Sequence, residues 1–491
     1  MLGRALTLAA SGVLAALACS ALPAAGDAAA APAFACRVDY STNDWGAGFS
    51  ATVKISNVGT TAVNGWTVTY SYAGNQTLQQ GWNGVWAQSA KQVTITNATW
   101  NASVPAGGSV SPGANFSYSG TNSAPTDFAV NGAACTGTPP VDPPPTGPAA
   151  PALRVSGNKL LTSTGATYRL LGVNRASGEF ACVQGKGMWD SGPVDQASVD
   201  AMKAWHIRAV RIPLNEDCWL GLSGSPSGAT YQQAVKDYAN LLVANGINPI
   251  LDLHWTHGQY TGNISACTDV NATCQKPMPN MQYTPTFWTQ VANAFKGNDA
   301  VLFDLFNEPY PDAADNWANP VAEWTCLRDG GTCAGFTYEV AGMQDLVDAV
   351  RATGATNVIL SAGIRWTNDL SRWLAYKPND PTGNLMASWH TYNFNACITV
   401  SCWDSEIGAV AAQVPVHAGE IGQDTCAHDY IDQVMAWLDQ KGLGYTAWTW
   451  NPWGCGQGNV LIEDYSGTPT QTYGAGYRAH LLTVAQEPGH A

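Results

Sequence analysis

From residue 152 onward, short apolar runs alternate with amphipathic segments, and this alternation constrains the fold more than any other feature of the chain. The runs are Leu170–Asn174, Ala209–Leu214, Asn248–His254, Val301–Asn307, Asn357–Gly363, Met386–Tyr392, Val414–Glu420 and Tyr445–Trp450. They read as strands covered on both faces, as in a parallel sheet. Amphipathic segments lie between them, including Ser198–Trp205, Tyr231–Asn245, Thr286–Phe295, Tyr338–Thr353 and Tyr430–Gln440. Eight such repeats in about 340 residues predict an α/β fold, a (β/α)8 TIM barrel with extended loops. An open doubly wound sheet is disfavoured, because no glycine-rich dinucleotide fingerprint is present.

Most of these runs end in a functional group, and the C-terminal strand ends are where barrels carry chemistry. The second run contains Arg211, and the third ends Asp252-Leu253-His254-Trp255. The fourth, Val301-Leu302-Phe303-Asp304-Leu305-Phe306, stops at Asn307-Glu308-Pro309, where proline cannot continue a ladder. The sixth ends Trp389-His390-Thr391-Tyr392, the seventh Gly419-Glu420 and the eighth Trp448-Thr449-Trp450. Glu308 and Glu420 are the only glutamates at the predicted strand ends, on strands that face each other across the barrel mouth. Glycoside hydrolysis needs such a pair of carboxylates. Asp304 lies deeper in its strand and reads as part of the inner layer.

The Asn307-Glu308-Pro309 ending closely resembles the acid/base motif of glycoside hydrolase family 5, and the order of motifs resembles that family across Ala152–Glu487. The resemblance implies that Glu308 is the acid/base, Glu420 the nucleophile and Trp448 the platform under the sugar at subsite −1. Arg211 beside Glu420 is expected to hold that carboxylate ionised and lower its pKa. Tyr392 can donate to Glu420, Asn307 is placed for the sugar 2-hydroxyl, and His254 and His390 form walls that orient the glutamates and sugar. Trp450 would face the same side as Trp448 if the strand stayed regular, and Trp448 is preferred. Two motifs depart from the family pattern: Ile421 follows Glu420 where phenylalanine is common, and Thr256-His257-Gly258 stands where many members have proline before glycine.

Residues 35–135 lack helical periodicity. Runs such as Ser50–Ile55, Trp66–Tyr70 and Gln92–Ile95 are separated by Gly, Asn, Ser and Pro, as in a small all-β, immunoglobulin-like sandwich. Trp66 lies in an alternating strand and reads as core. Trp45, Trp82 and Trp100 sit in polar surroundings and could stack on sugar rings. The segment resembles carbohydrate-binding module family 2 in Asn43–Phe49, Asn64–Val68, Trp100–Pro105 and the flanking cysteines. That resemblance implies that Trp45, Trp82 and Trp100 form a flat strip on crystalline cellulose. Between the two regions, residues 136–151 form a proline-rich linker unable to pack a core, leaving residues 152–491 to the barrel.

Residues 1–31 read as a secretory signal peptide: Arg4, then an apolar run from Ala5 to Ala18, then an alanine-rich tail. The expected location is extracellular. Setting aside Cys19 in the signal, twelve cysteines remain, an even number suited to an oxidising compartment, and none has zinc spacing. Cys267/Cys274, Cys326/Cys333 and Cys397/Cys402 are sequence neighbours that would staple loops. By elimination Cys36/Cys135, Cys182/Cys218 and Cys426/Cys455 are left for longer-range pairs, with connectivity unproven by sequence.

A net charge of −14 with 12% charged residues and no basic patch disfavours nucleic acid and anionic membrane as partners. No metal or cofactor is expected, and a monomer is. The leading expectation is a secreted, retaining endo-β-1,4-glucanase acting on cellulose or a related plant cell-wall β-glycan. The alternatives are a β-mannanase or a xyloglucan or mixed-linkage glucanase on the same scaffold, and, from another class, a non-catalytic wall-binding protein.

Overall fold

The computed structural model describes residues 36–44, 46–57, 61–105, 108–135, 148–190, 192–222, 227–264, 268–455 and 459–485. The chain divides into two compact units, Met1–Asp142 and Pro143–Ala491.

The first unit is a sandwich of two antiparallel sheets. One carries Cys36–Asp44, Gly48–Asn57, Gly113–Ser117 and Thr77–Trp82 in that spatial order, with Ser109–Val110 also pairing to Gly48–Asn57. The other orders Ala133–Ala134, Ala129–Val130, Thr67–Ser71, Gln92–Thr96 and Val85–Ser89. Alternating residues point inward, and Phe49, Ala51, Val53, Val68, Tyr70, Val93, Ile95 and Phe116 form one core. The period of two in the sequence is therefore the period of burial. Cys36 and Cys135 are joined at the ends of the unit.

The second unit is a closed barrel of parallel strands: β1 Leu171–Asn174, β2 Ala209–Asn215, β3 Asn248–Trp255, β4 Leu302–Asp304, β5 Ile359–Ser361, β6 Leu385–Tyr392, β7 Val416–Gly422 and β8 Gly444–Ala447. β1 pairs with both β2 and β8, which closes the ring. A hairpin of Leu153–Ser156 and Lys159–Thr162 precedes it. Leu153 and Leu160 of the hairpin pack with Leu170, Ala209, Ile250, Leu302 and Met386, plugging the N-terminal end so that the opposite end is the open one. The outer helices bury one stripe each. In Met343–Ala352 the buried residues are Met343, Leu346, Val347 and Val350, the spacing of one helical face.

β4 is shorter than the predicted Val301–Asn307, yet the chain continues its path: the Leu305 N–H donates to the Leu360 carbonyl and the Asn307 N–H to the Leu253 carbonyl. β8 likewise ends at Ala447, before the predicted Trp450. Trp450 is fully buried against Trp205, with ring centroids 4.9 Å apart, while Trp448 faces the open end.

At the C-terminal end of β7 the register with β6 slips: Trp389 faces Ala418, but His390 faces Glu420. Gly419 is the extra residue of this bulge. A Cβ there would lie 2.9 Å from His390 Nε2 and 3.2 Å from Ser388 Oγ, so the close approach needs glycine. The bulge turns Glu420 into the barrel mouth.

Disulfides join Cys182–Cys218, Cys326–Cys333, Cys397–Cys402 and Cys426–Cys455. Cys274 is also disulfide-bonded, and its expected partner Cys267 lies outside the described residues. Among the described residues no helix is long and apolar enough to cross a membrane. The expected signal, residues 1–31, lies outside them.

Candidate active site and aromatic surface

The open end of the barrel holds a cleft of about 760 Å³ lined by His254, Asn307, Glu308, Tyr392, Glu420 and Trp448 together with loop residues. Beneath it lies Arg211, completely buried on β2. Its Nη1 donates to Glu420 Oε1 at 2.9 Å and to Asn174 Oδ1 at 3.1 Å, and its Nη2 donates to Asn307 Oδ1 at 2.8 Å. Its Nε donates to Asp304 Oδ2 at 2.9 Å, and Nη2 lies 2.9 Å from Asp252 Oδ1. One guanidinium thus binds three carboxylates, and the fork geometry of arginine is what allows it. Because burial penalises every one of these charges, Asp252 and Asp304 are pushed up to about 7 despite the arginine.

Glu420 receives the best support for its charge. Besides Arg211, the Tyr392 hydroxyl donates to its Oε2 at 2.6 Å. Burial nevertheless raises its pKa, with Arg211, His254 and Tyr392 pulling against that rise. Arg211 pulls the pKa down as expected, but desolvation outweighs that pull. Glu308 is raised further, well above the ordinary carboxylate range, by burial and then by the charge of Glu420. Its Oε1 lies 3.1 Å from His390 Nδ1. His390 is held well below its usual pKa, first by burial and then by Arg211, and burial pushes His254 down to about 4. Both imidazoles are neutral near pH 7, and Asp252 Oδ2 fixes His254 through Nδ1 at 2.6 Å.

Glu308, His390 and Glu420 each bring one oxygen or nitrogen within 4.8 Å of the others. Such a trio could also bracket a cation. The His254 and Trp448 rings, both lining the cleft, lie nearly parallel with centroids 5.7 Å apart. All eight residues expected at the active site, namely Arg211, His254, Asn307, Glu308, His390, Tyr392, Glu420 and Trp448, are gathered in or directly under this cleft.

Sequence reading missed Asn174, whose only signal was a polar residue ending the first apolar run, and Gln275. The Gln275 Nε2 donates to the Glu308 carbonyl at 2.8 Å, and its Oε1 accepts from Asn307 Nδ2 at 3.2 Å. It also missed Trp317, Trp366 and Phe394, cleft residues carried on loops.

In the sandwich, Trp66 is buried and its indole N–H donates to the Asn101 carbonyl at 2.8 Å, as a core residue should. Trp82 and Trp100 are 41% and 72% exposed. Trp82 lies over the neighbouring strand at Gly113, where any Cβ would come within 2.6 Å of the indole. Trp45 lies outside the described residues.

A closed parallel barrel with two carboxylates facing across its mouth defines a barrel glycoside hydrolase. The chain belongs to the family described as cellulase (glycosyl hydrolase family 5), whose pattern matches residues 171–454, and it carries a cellulose binding domain matched over residues 36–135. Over 443 residues it is 26% identical to Endoglucanase CelA of Streptomyces lividans, covering 85% of this chain and 84% of that protein. The binding domain is 50% identical over 107 residues to part of Exoglucanase A of Cellulomonas fimi, where the match covers 22% of this chain and 12% of the relative. The barrel fold is shared with a beta-glucanase of Saccharophagus degradans at a TM-score of 0.52 and 22% identity, covering 69% of this chain and 94% of that structure.

Proposed function

We propose that the protein is a secreted, monomeric, retaining endo-β-1,4-glucanase that acts on cellulose by double displacement. The observation that carries this reading is the closeness of the two carboxylates. A Glu308 oxygen and a Glu420 oxygen lie within 4.8 Å, nearer the roughly 5–5.5 Å of retaining enzymes than the 6.5–9.5 Å that leaves room for an inverting water.

Glu420, held by Arg211 and Tyr392, attacks the anomeric carbon and forms the covalent glycosyl-enzyme. Glu308 carries the proton, because burial and the Glu420 charge disfavour its ionisation. It passes that proton to the departing oxygen. Once Glu420 is esterified its charge is gone, the Glu308 pKa falls, and the Glu308 carboxylate can take a proton from water. Water then attacks the anomeric carbon and releases Glu420. Arg211 holds Asn307 by its carbonyl oxygen, leaving the amide N–H groups to donate toward Gln275 and a sugar 2-hydroxyl. Trp448 is the platform at subsite −1, and Trp45, Trp82 and Trp100 adsorb the enzyme to crystalline cellulose.

Reducing-sugar release from cellulose, glucomannan, xyloglucan and mixed-linkage glucan, with NMR of the first products, tests the reading. β-Anomers from cellulose with falling chain length are expected. α-Anomers, or activity confined to glucomannan, would overturn it.

A further inference from the structure

Gly419, the extra residue of the bulge before Glu420, has no register partner on β6 or on β8. A buried carbonyl displaced from the ladder in this way must find other donors. Two side chains supply them. Asn174 Nδ2 on β1 donates to the Gly419 carbonyl at 2.9 Å, and the Thr446 hydroxyl on β8 donates to it at 2.6 Å. Donor and acceptor roles are fixed along both arms. Arginine only donates, so Asn174 Oδ1, 3.1 Å from Arg211 Nη1, must accept, and the amide nitrogen is left facing Gly419. A carbonyl only accepts, so Thr446 gives its one hydroxyl proton to Gly419 and must accept from His417 Nε2 at 3.2 Å. His417 therefore carries its proton on Nε2.

The rest of the site agrees with that tautomer. His417 Nδ1 has no hydrogen-bond partner among the described residues, and burial, then the charge of Arg211, pushes the His417 pKa down to about 3, so the ring is neutral. Gly444 on β8 leaves the ring its room, because a Cβ there would lie 2.9 Å from His417 Nδ1. Asn174, His417 and Thr446 are all completely buried beneath the cleft, and none of them lines it. Their two arms nevertheless end on the peptide that carries the nucleophile. That peptide is planar, so fixing its carbonyl fixes the direction in which Glu420 leaves β7. Arg211 and Tyr392 hold the other end of the same side chain, at 2.9 Å and 2.6 Å. Glu420 is thus held at its root and at its tip.

We infer that Thr446 and Asn174 are positioning residues that aim the nucleophile through the Gly419 carbonyl, and that His417 sets the direction of the Thr446 hydroxyl. This rests on the glucanase reading, with Glu420 as the attacking group. Attack on the anomeric carbon needs the reacting atoms about 3–3.5 Å apart and aligned, so a carboxylate that swings at its root loses rate without losing affinity for the sugar.

The test labels the full-length protein with a dinitrophenyl β-cellobioside that has fluorine in place of the reacting 2-hydroxyl. A Glu420 oxygen bonds to the anomeric carbon, and dinitrophenolate departs with the electron pair, needing no proton from Glu308. The fluorine slows the second step, so the ester accumulates and mass spectrometry locates it. The first-order labelling rate does not depend on how much of a preparation is folded. Thr446→Val keeps the side-chain shape without the hydroxyl, and Thr446→Ala removes the hydroxyl without crowding. Both should lower the limiting labelling rate roughly tenfold while the half-saturating concentration stays within about twofold, and Thr446→Ser should restore most of the rate. An undiminished rate in Thr446→Val and Thr446→Ala, or a loss that Thr446→Ser does not restore, overturns the positioning role. A label on Glu308, or none on the wild type, overturns the glucanase reading itself, a result distinct from either.

Discussion

The two units handle sugar with opposite physical means. The barrel buries its functional groups: Arg211 is inaccessible, and its three carboxylates share one positive charge. The sandwich leaves Trp82 and Trp100 in water, each attached to a core that does not depend on it. Buried charges are coupled, so changing one shifts the protonation of the rest. Exposed indoles act singly, and stability and binding can be altered separately. A catalytic group needs a tuned pKa, whereas an adsorbing group needs only accessible apolar area.

The largest effect should come from breaking the buried side of that comparison. Glu420→Ala removes the proposed nucleophile, and kcat on cellulose should fall by a factor on the order of 10⁴ or more. Glu308→Ala should behave differently. An aryl cellobioside with a good leaving group should still glycosylate Glu420 and then stall without a base, and added azide should restore turnover as a β-glycosyl azide. An α-azide, or rescue of Glu420→Ala in place of Glu308→Ala, would reverse the assigned roles.

Much of this was legible in the sequence because burial and periodicity leave marks there. All eight apolar runs became barrel strands, and Trp66 became core, since strands covered on both faces must be apolar throughout. The hairpin of Leu153–Ser156 and Lys159–Thr162 was too short to stand out, and the helix Tyr473–Val484 spaces its buried residues among Gly, Ala and His, weakening its stripe. Trp317 and Trp366 sit on loops with no period to reveal them. The sign of the Glu420 shift was also out of reach, because it depends on how deeply the carboxylate is buried and no residue pattern reports that depth.

A smaller but still large effect belongs to the sandwich interior. Trp66→Ala should destabilise that unit by about 3–5 kcal/mol, from lost burial and the cavity left behind. Denaturation followed by Trp fluorescence checks this. The loss should appear without any change in the barrel's turnover of a soluble substrate. A fall in that turnover below the sandwich's melting temperature would show that the two units are not energetically separate.

Next comes a shift rather than a loss. Tyr392→Phe removes the hydroxyl that donates to Glu420 at 2.6 Å. A hydrogen bond to the charged form lowers a carboxyl pKa, so its removal must raise that of Glu420. The acid limb of kcat/KM, assigned to protonation of Glu420, should move to higher pH. The alkaline limb, set by loss of the Glu308 proton, should move less. An acid limb that stays fixed would mean that Tyr392 does not stabilise the charged nucleophile.

The smallest catalytic effect should come from the more exposed of the two described surface indoles. Trp100 is 72% exposed, so Trp100→Ala leaves little cavity, and stability should stay within about 0.5 kcal/mol of wild type. Its soluble-substrate kcat/KM should be unchanged, because no charge or contact in the barrel cleft is altered. Adsorption to crystalline cellulose should weaken, and weaken further when Trp82→Ala is added. Each ring presents its own apolar face, so the two losses should be nearly additive in free energy, unlike those of the coupled barrel carboxylates. Adsorption isotherms of the single and double variants decide this. A double variant no weaker than either single one would mean that the rings do not bind cellulose independently, and the contrast between a coupled site and an additive surface would fail.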